Sequence, residues 1–128
     1  MRSLMIDSYT QKQIVLQFSD CINSRDIDGL AALMTDDHRF IDSANSSLLG
    51  KESALKAWRG FFESFPDYRN VFENVSIRDG VITIVGHSVC SDKRLDGPAL
   101  WTAKVVDGKV PEWRVYDDTP ENRAQLGV

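Results

Sequence analysis

The spacing of apolar residues predicts helices in the first half of the chain. Between residues 10 and 23 apolar side chains recur every three or four positions, as on one face of a helix. Thr10 and Gln13 have the spacing of a capping box at its start. Asp26 is suited to cap a second, short helix, which the Asp36-Asp37 pair is expected to close.

One strand and a third helix follow. Residues 38–42 alternate like a strand, and a polar loop separates them from the strongest helical pattern, which covers residues 51–65. Pro66 cannot continue that helix. Its apolar stripe consists of Leu55, Trp58, Phe61, Phe62 and Phe65.

The second half of the chain changes to the two-residue period of β-strands. Asp79-Gly80 and Asp107-Gly108 have the composition of tight hairpin turns, and a looser turn is expected at residues 96–98. The predicted strands cover residues 69–77, 81–90, 100–106 and 110–117.

The predicted order is therefore α-α-β-α-β-β-β-β, which defines an α+β fold. Parallel strands need long crossover connections, and the last four strands are joined only by short turns. This excludes a doubly wound parallel sheet. We expect one domain over residues 1–128, with a curved, mostly antiparallel sheet and the helices packed on one face.

Composition narrows the classes of function. With 15 basic and 19 acidic residues the net charge is −4, and no basic cluster is suited to binding nucleic acid. No apolar run is long enough for a signal peptide or a membrane span. Cys21 and Cys90 are far apart and read as buried thiols, which fits a cytoplasmic location.

The segment of residues 81–85, VITIV, is apolar on both faces of its predicted strand. An antiparallel sheet with one solvated face normally alternates between apolar and polar positions. Something should therefore cover the outer face of the sheet, and we expect a homodimer that packs sheet to sheet.

Several longer stretches resemble a known superfamily. These are INSRDIDGLAALMTDDHRFID, AWRGFF in the third helix, DGKVPEWRVYDD, and the ending AQLG. They resemble nuclear transport factor 2-like proteins, in particular the SnoaL-like polyketide cyclases and their ketosteroid isomerase relatives. The resemblance implies a cone-shaped fold around a pocket for a small, apolar, oxygenated molecule. It implies either a cofactor-free acid/base cyclase, isomerase or dehydratase, or a non-catalytic module that binds a ligand or dimerises.

Asp42 is the first catalytic candidate. The resemblance places it where the isomerases keep the carboxylate that moves a proton between carbons next to a ketone. On the predicted strand His38, Phe40 and Asp42 share one face, and a partly desolvated carboxylate there suits a general base. The alternative is that Asp42 ends the strand and caps the loop through Ser43.

Two related activities are disfavoured by the same alignment. The isomerase oxyanion donors correspond to Phe18 and Trp101, which cannot donate in the same way, so steroid-type isomerisation is excluded. Epoxide hydrolysis is disfavoured because an acidic residue of the epoxide hydrolases corresponds to Val115 and residues 81–90 contain no Arg-x-Asp. The proton relay for opening an epoxide is therefore not in place.

The last predicted strand offers a second acid. Trp113, Val115 and Asp117 share the face that reads as pocket lining, so Asp117 is the favoured general acid. Counting back from the QLG ending favours Asp118 instead, and a bulge would exchange the two. In the alternative interpretation both acids face solvent and Arg114 pairs with one of them.

The remaining candidates are imidazoles and aromatic rings. His38 and His87 could relay protons near neutral pH, with His38 the nearer to Asp42 in sequence. Two histidines without a third ligand at suitable spacing favour no metal, and no cofactor is expected. The residues expected to contact a ligand are Phe18, Phe40, Trp58, Trp101, Trp113 and Val115.

Overall fold

The computed structural model describes residues 4–128, so Met1 to Ser3, part of the segment assessed for a signal peptide, lie outside it. The described residues form four helices and six strands. In chain order these are α1 (Leu4–Ser24), α2 (Ile27–Leu33), β1 (Met34–Ile41), β2 (Ser47–Leu49), α3 (Lys51–Ser64), β3 (Arg69–Arg78), β4 (Val81–Val89), β5 (Gly97–Val106), β6 (Lys109–Asp117) and α4 (Pro120–Leu126).

The first two helices correct the predicted boundaries. Helix α1 already includes Thr10, so the predicted capping box is wrong; no glycine or proline precedes Thr10 in the described helix to stop it earlier. Asp26 does cap α2, because its Oδ1 accepts a hydrogen bond from the Gly29 N–H at 2.9 Å. That helix ends at Leu33, and the Asp36-Asp37 pair lies within β1.

Helix α3 follows the predicted stripe closely. It ends at Ser64, two residues before Pro66, and its buried side chains include Leu55, Trp58 and Phe62. Phe61 and Phe65 are half-buried and pack against the same core. The helix therefore presents one aromatic face to the sheet, as an amphipathic pattern requires.

The six strands form one mixed sheet in the order β2-β1-β6-β5-β4-β3. Every neighbouring pair is antiparallel except β1 and β6, which run parallel. Asp79 and Gly80 have φ angles of 53° and 77°, and Asp107 and Gly108 have 51° and 75°. Two successive positive φ angles are typical of type I′ turns, so both predicted hairpin turns and the α+β class are confirmed.

Two short elements were not predicted. Strand β2 has three residues paired with the end of β1, too few to show a period. Thr119 caps the start of α4, because its Oγ1 accepts a hydrogen bond from the Asn122 N–H at 3.1 Å, and Gly127, with φ 74°, follows its last residue. Thr-Pro at the start and Gly at the end are the usual signals of a helix, so the sequence did carry this information.

Helix α4 contributes one residue, Arg123, to a groove on the outer side of the sheet. Arg123 and Asp118 line this groove together with Glu73 and His87 of β3 and β4. The Arg123 guanidinium donates to both carboxylate oxygens of Asp118, at 2.6 and 2.9 Å. The three predicted helices, α1 to α3, pack on the inner face of the sheet as expected.

Candidate functional site

An apolar cavity of about 310 Å³ opens between α3 and the inner face of the sheet. Its size is at the lower end of the range for small-molecule sites. The wall is formed mainly by aromatic and aliphatic side chains, with four polar residues among them. The lining residues are Phe40, Asp42, Ser43, Ala57, Trp58, Phe61, Tyr68, Asn70, Leu95, Trp101, Trp113 and Val115.

The parallel pairing of β1 with β6 places the main aromatic wall. Phe40 lies opposite Trp113 in the register of the two strands. The Trp58 ring of α3 meets Phe40 edge-on, with centroids 5.5 Å apart. Phe18 does not line the cavity; it is fully buried and stacks on Trp113 at 4.5 Å, on the helix side of the wall. All other predicted ligand-contacting residues line the cavity.

Asp42 lies at the cavity wall directly after β1 and is half-buried. Its Oδ1 accepts hydrogen bonds from the N–H groups of Ala44 and Ser46, each at 2.9 Å. The residue therefore does cap the loop, through Ala44 and Ser46 rather than Ser43. No described residue donates a hydrogen bond to its other carboxylate oxygen, Oδ2.

Neither candidate for the second acid reaches this cavity. Asp117 has the expected strand parity, but it is exposed at the end of β6, past the last lining residue Val115. Asp118 lines the groove on the outer face, where the hydrogen bonds from Arg123 lower the pKa of its carboxyl group. The structure therefore does not bring together the pair of acids that the sequence predicted.

His38 is fully buried and lies outside the cavity lining. The pairing of β1 with β6 shifts register between Met34 and Arg39, and in this irregular stretch the His38 Nδ1 lies 2.5 Å from the Val110 carbonyl oxygen. Because a carbonyl oxygen only accepts, Nδ1 carries the proton. Burial lowers the pKa of His38, so the ring is neutral at pH 7. This placement gives it no direct route to a ligand in the cavity.

His87 lies on the outer face of the sheet, where its Nδ1 is 3.7 Å from Glu73 Oε2. Within residues 4–128 no group of three histidine, cysteine or acidic side chains is arranged to hold a metal ion. None of the described helices is long and apolar enough to cross a membrane. Cys90 is buried, whereas Cys21 is only half-buried.

Three polar lining residues were missed by the sequence analysis: Tyr68, Asn70 and Ser43, which it considered only as a loop cap. The Tyr68 hydroxyl lies 3.0 Å from Ser88 Oγ, and burial raises its pKa. Asn70 is only 5% exposed. Tyr68 directly precedes β3 and Asn70 is its second residue. In extended chain, residues two positions apart point to the same side, and this spacing was the signal in the sequence that both could line one cavity. The cavity thus has an acid on one element and neutral hydrogen-bonding groups on another.

The chain belongs to the SnoaL-like domain family, whose profile matches residues 15–113. None of the curated proteins compared with it matches.

Solved structures share the fold at low sequence identity. A protein from Jannaschia sp. CCS1 assigned as a SnoaL-like polyketide cyclase is 23% identical, with a TM-score of 0.76 over 92% of this chain and 90% of that chain. An LEH-like epoxide hydrolase from M. tuberculosis is 16% identical, with a TM-score of 0.76 over 88% of this chain and 81% of that one. An NTF2-like protein of unknown function from Cytophaga hutchinsonii is 14% identical, with a TM-score of 0.69 over 91% and 94%.

Proposed function

We propose that the chain binds a small, largely apolar, oxygenated molecule in the cavity beneath α3, and that Asp42 acts on it as a general base without a cofactor. The observation that carries this proposal is the position of Asp42. Among the described residues that line the cavity, it alone has a carboxyl group, and the rest of the wall is mainly aromatic. An apolar site with a few convergent polar groups is the usual form of a small-molecule site.

The proposed chemistry is proton transfer at carbon. Oδ2 of Asp42 takes a proton from a carbon next to a carbonyl group, and the electron pair of the C–H bond moves into the resulting enolate. Asp42, now protonated, can return the proton to the same carbon, which restores the ligand and is visible only as isotope exchange, or deliver it to a conjugated carbon, which isomerises the ligand with no net change in composition. A single carboxylate is enough for both steps, so the absence of Asp117 and Asp118 from the cavity lining is compatible with this reaction.

The developing enolate needs a hydrogen-bond donor. The residues that correspond to the isomerase donors do not supply one of the same kind, because Phe18 is a core residue and Trp101 is an indole in the wall. Tyr68, directly before β3, contributes a neutral hydroxyl to the same cavity. A hydroxyl donor in a low-dielectric site is well suited to stabilising such a charge.

The test is hydrogen–deuterium exchange at the α-carbon of a cyclic ketone. 2-Tetralone is incubated with the protein in D₂O, and loss of the α-proton signal is followed by NMR. We expect Asp42→Asn to slow exchange by ~10²-fold or more, the range for loss of a positioned base. Asp117→Asn is the matched control and should leave the rate unchanged, since Asp117 lies outside the cavity. Equal rates in wild type and Asp42→Asn would contradict the proposed base.

A second candidate function is binding without catalysis. It is favoured by one observation, that the loop N–H groups of Ala44 and Ser46 already occupy Oδ1 of Asp42. If that structural role is the whole role of Asp42, wild type will bind 2-tetralone without accelerating exchange. Binding and exchange measured on the same sample therefore separate the two functions.

We also propose that two copies pair through the outer face of the sheet. Val81, Val85 and Val89 alternate along β4 on this face; the first two are half-buried and Val89 is 40% exposed. Apolar residues on the solvated face of an antiparallel sheet favour a second surface that covers them.

A further inference from the structure

The carboxamide of Asn70 is a buried polar group without a partner. The residue is 5% exposed and lines the cavity. Its Oδ1 is closed to solvent and accepts no hydrogen bond from residues 4–128. In native proteins most buried polar atoms are paired, so an unpaired one at a cavity wall calls for an explanation.

The backbone of Asn70 does not need this side chain. Strand β3 is the edge of the sheet, and α1 covers its start through Asn23. Nδ2 of Asn23 donates to the Asn70 carbonyl oxygen at 3.0 Å, and the Asn70 N–H donates to Asn23 Oδ1 at 2.8 Å. Both main-chain groups are thus satisfied by one neighbouring amide, which also holds the residue in place.

The other buried polar group in this part of the wall differs in this respect. The Tyr68 hydroxyl shares a hydrogen bond with Ser88, which is also buried, so it already has a partner within the protein. Asn70 has none and therefore gains most from a ligand. Because Oδ1 as placed is closed to solvent, a ligand hydroxyl can donate to it only after the carboxamide turns about its Cβ–Cγ bond; otherwise the hydroxyl oxygen accepts from Nδ2.

We infer that Asn70 is the residue that selects ligands carrying a hydroxyl group on an apolar ring system, by hydrogen bonding of its carboxamide to that hydroxyl. The inference rests on the proposed function, which places the ligand in this cavity, and it adds the polar group that the ligand carries. Asp42 and Asn70 lie on different elements, after β1 and at the start of β3. A ligand held by Asn70 can therefore present a separate part of its ring to Asp42.

The experiment compares two probes of nearly equal shape, 2-naphthol and 2-methylnaphthalene, by fluorescence titration. The measured quantity is the ratio of their dissociation constants, compared between wild type and Asn70→Leu. The comparison between proteins cancels the different solubilities of the probes in water. We expect Asn70→Leu to shift the ratio by ~10-fold towards 2-methylnaphthalene, the effect of one buried hydrogen bond.

Two controls distinguish recognition from a structural effect. Asn70→Leu should keep or raise the melting temperature, because it removes an unpaired buried polar group. Ser43→Ala removes another hydroxyl from the cavity wall and should leave the probe ratio near the wild-type value.

The remaining outcomes overturn the inference. If both probes bind and the ratio is the same in wild type and Asn70→Leu, Asn70 does not recognise the hydroxyl, while the proposed function stands. A ratio that shifts only in Ser43→Ala assigns recognition to Ser43 instead. If neither probe binds wild type, the inference and the proposed ligand class both fail.

Discussion

Phe62→Ala is the change that we expect to destabilise the fold most clearly. Phe62 is 8% exposed on α3, its ring centroid is 5.5 Å from that of Trp58, and the Arg25 guanidinium carbon lies over the Phe62 ring at 5.5 Å from the same centroid. Burial of a phenylalanine side chain contributes ~1.5–3 kcal/mol, and aromatic pairing adds ~0.5–1.5 kcal/mol. The cavity left behind adds to the loss, which brings it to the ~3–5 kcal/mol typical of Phe→Ala.

The assay is thermal and urea unfolding followed by circular dichroism. A loss of this size corresponds to a melting temperature lower by ~10–20 °C. It is also a large part of the ~5–15 kcal/mol total of a typical domain, so little Phe62→Ala protein should remain folded at physiological temperature. Tyr9→Ala is the control, since Tyr9 is 65% exposed and its loss should change stability by less than ~0.5 kcal/mol. A shift of one or two degrees for Phe62→Ala would refute the packing of α3.

Two further predictions concern pH and assembly. Burial lowers the pKa of His38 in the folded state, so the unfolded chain, with an ordinary histidine pKa of ~6.5, binds this proton more readily. The contribution of neutral His38 to stability is complete above pH ~6.5 and is lost as the pH falls below that value. The urea midpoint should therefore decrease when the pH is lowered from 7.5 to 5.5. An equal decrease in His38→Gln would contradict this assignment. For the assembly, sedimentation at micromolar concentration should give a species of twice 14.4 kDa, whereas a 14.4 kDa species would exclude the dimer. The dimer interface itself is expected to bury at least ~1,000 Å² in total.

Most of the fold could be predicted because its signals are local. The aromatic stripe of α3, the Asp26 cap and the two Asp-Gly turns each depend on residues a few positions apart. Helix α4 carried equally local signals at Thr119 and Gly127. Strand β2, with only three residues, carried none.

The site was harder to predict because its members meet through long-range pairing. Strand parity correctly placed Trp113 and Val115 on the inner face, but it could not tell that the cavity ends before Asp117. His38 fits the parity of its strand, yet it is fully buried against Val110 and lies outside the cavity lining. The alternation along a strand predicts which face of the sheet a side chain lies on. Whether that side chain lines the cavity also depends on where the strands end and which helix covers them.

The most direct test of the account is a crystal structure with 2-tetralone. We expect ring density in the cavity between Asp42 and Trp113, with the α-carbon of the ketone ~3–3.5 Å from Oδ2 of Asp42, the separation of a reactive pair. Density in the outer groove beside Arg123, or a ligand whose α-carbons both lie far from Asp42, would contradict the central claim that this cavity holds the substrate and Asp42 acts on it.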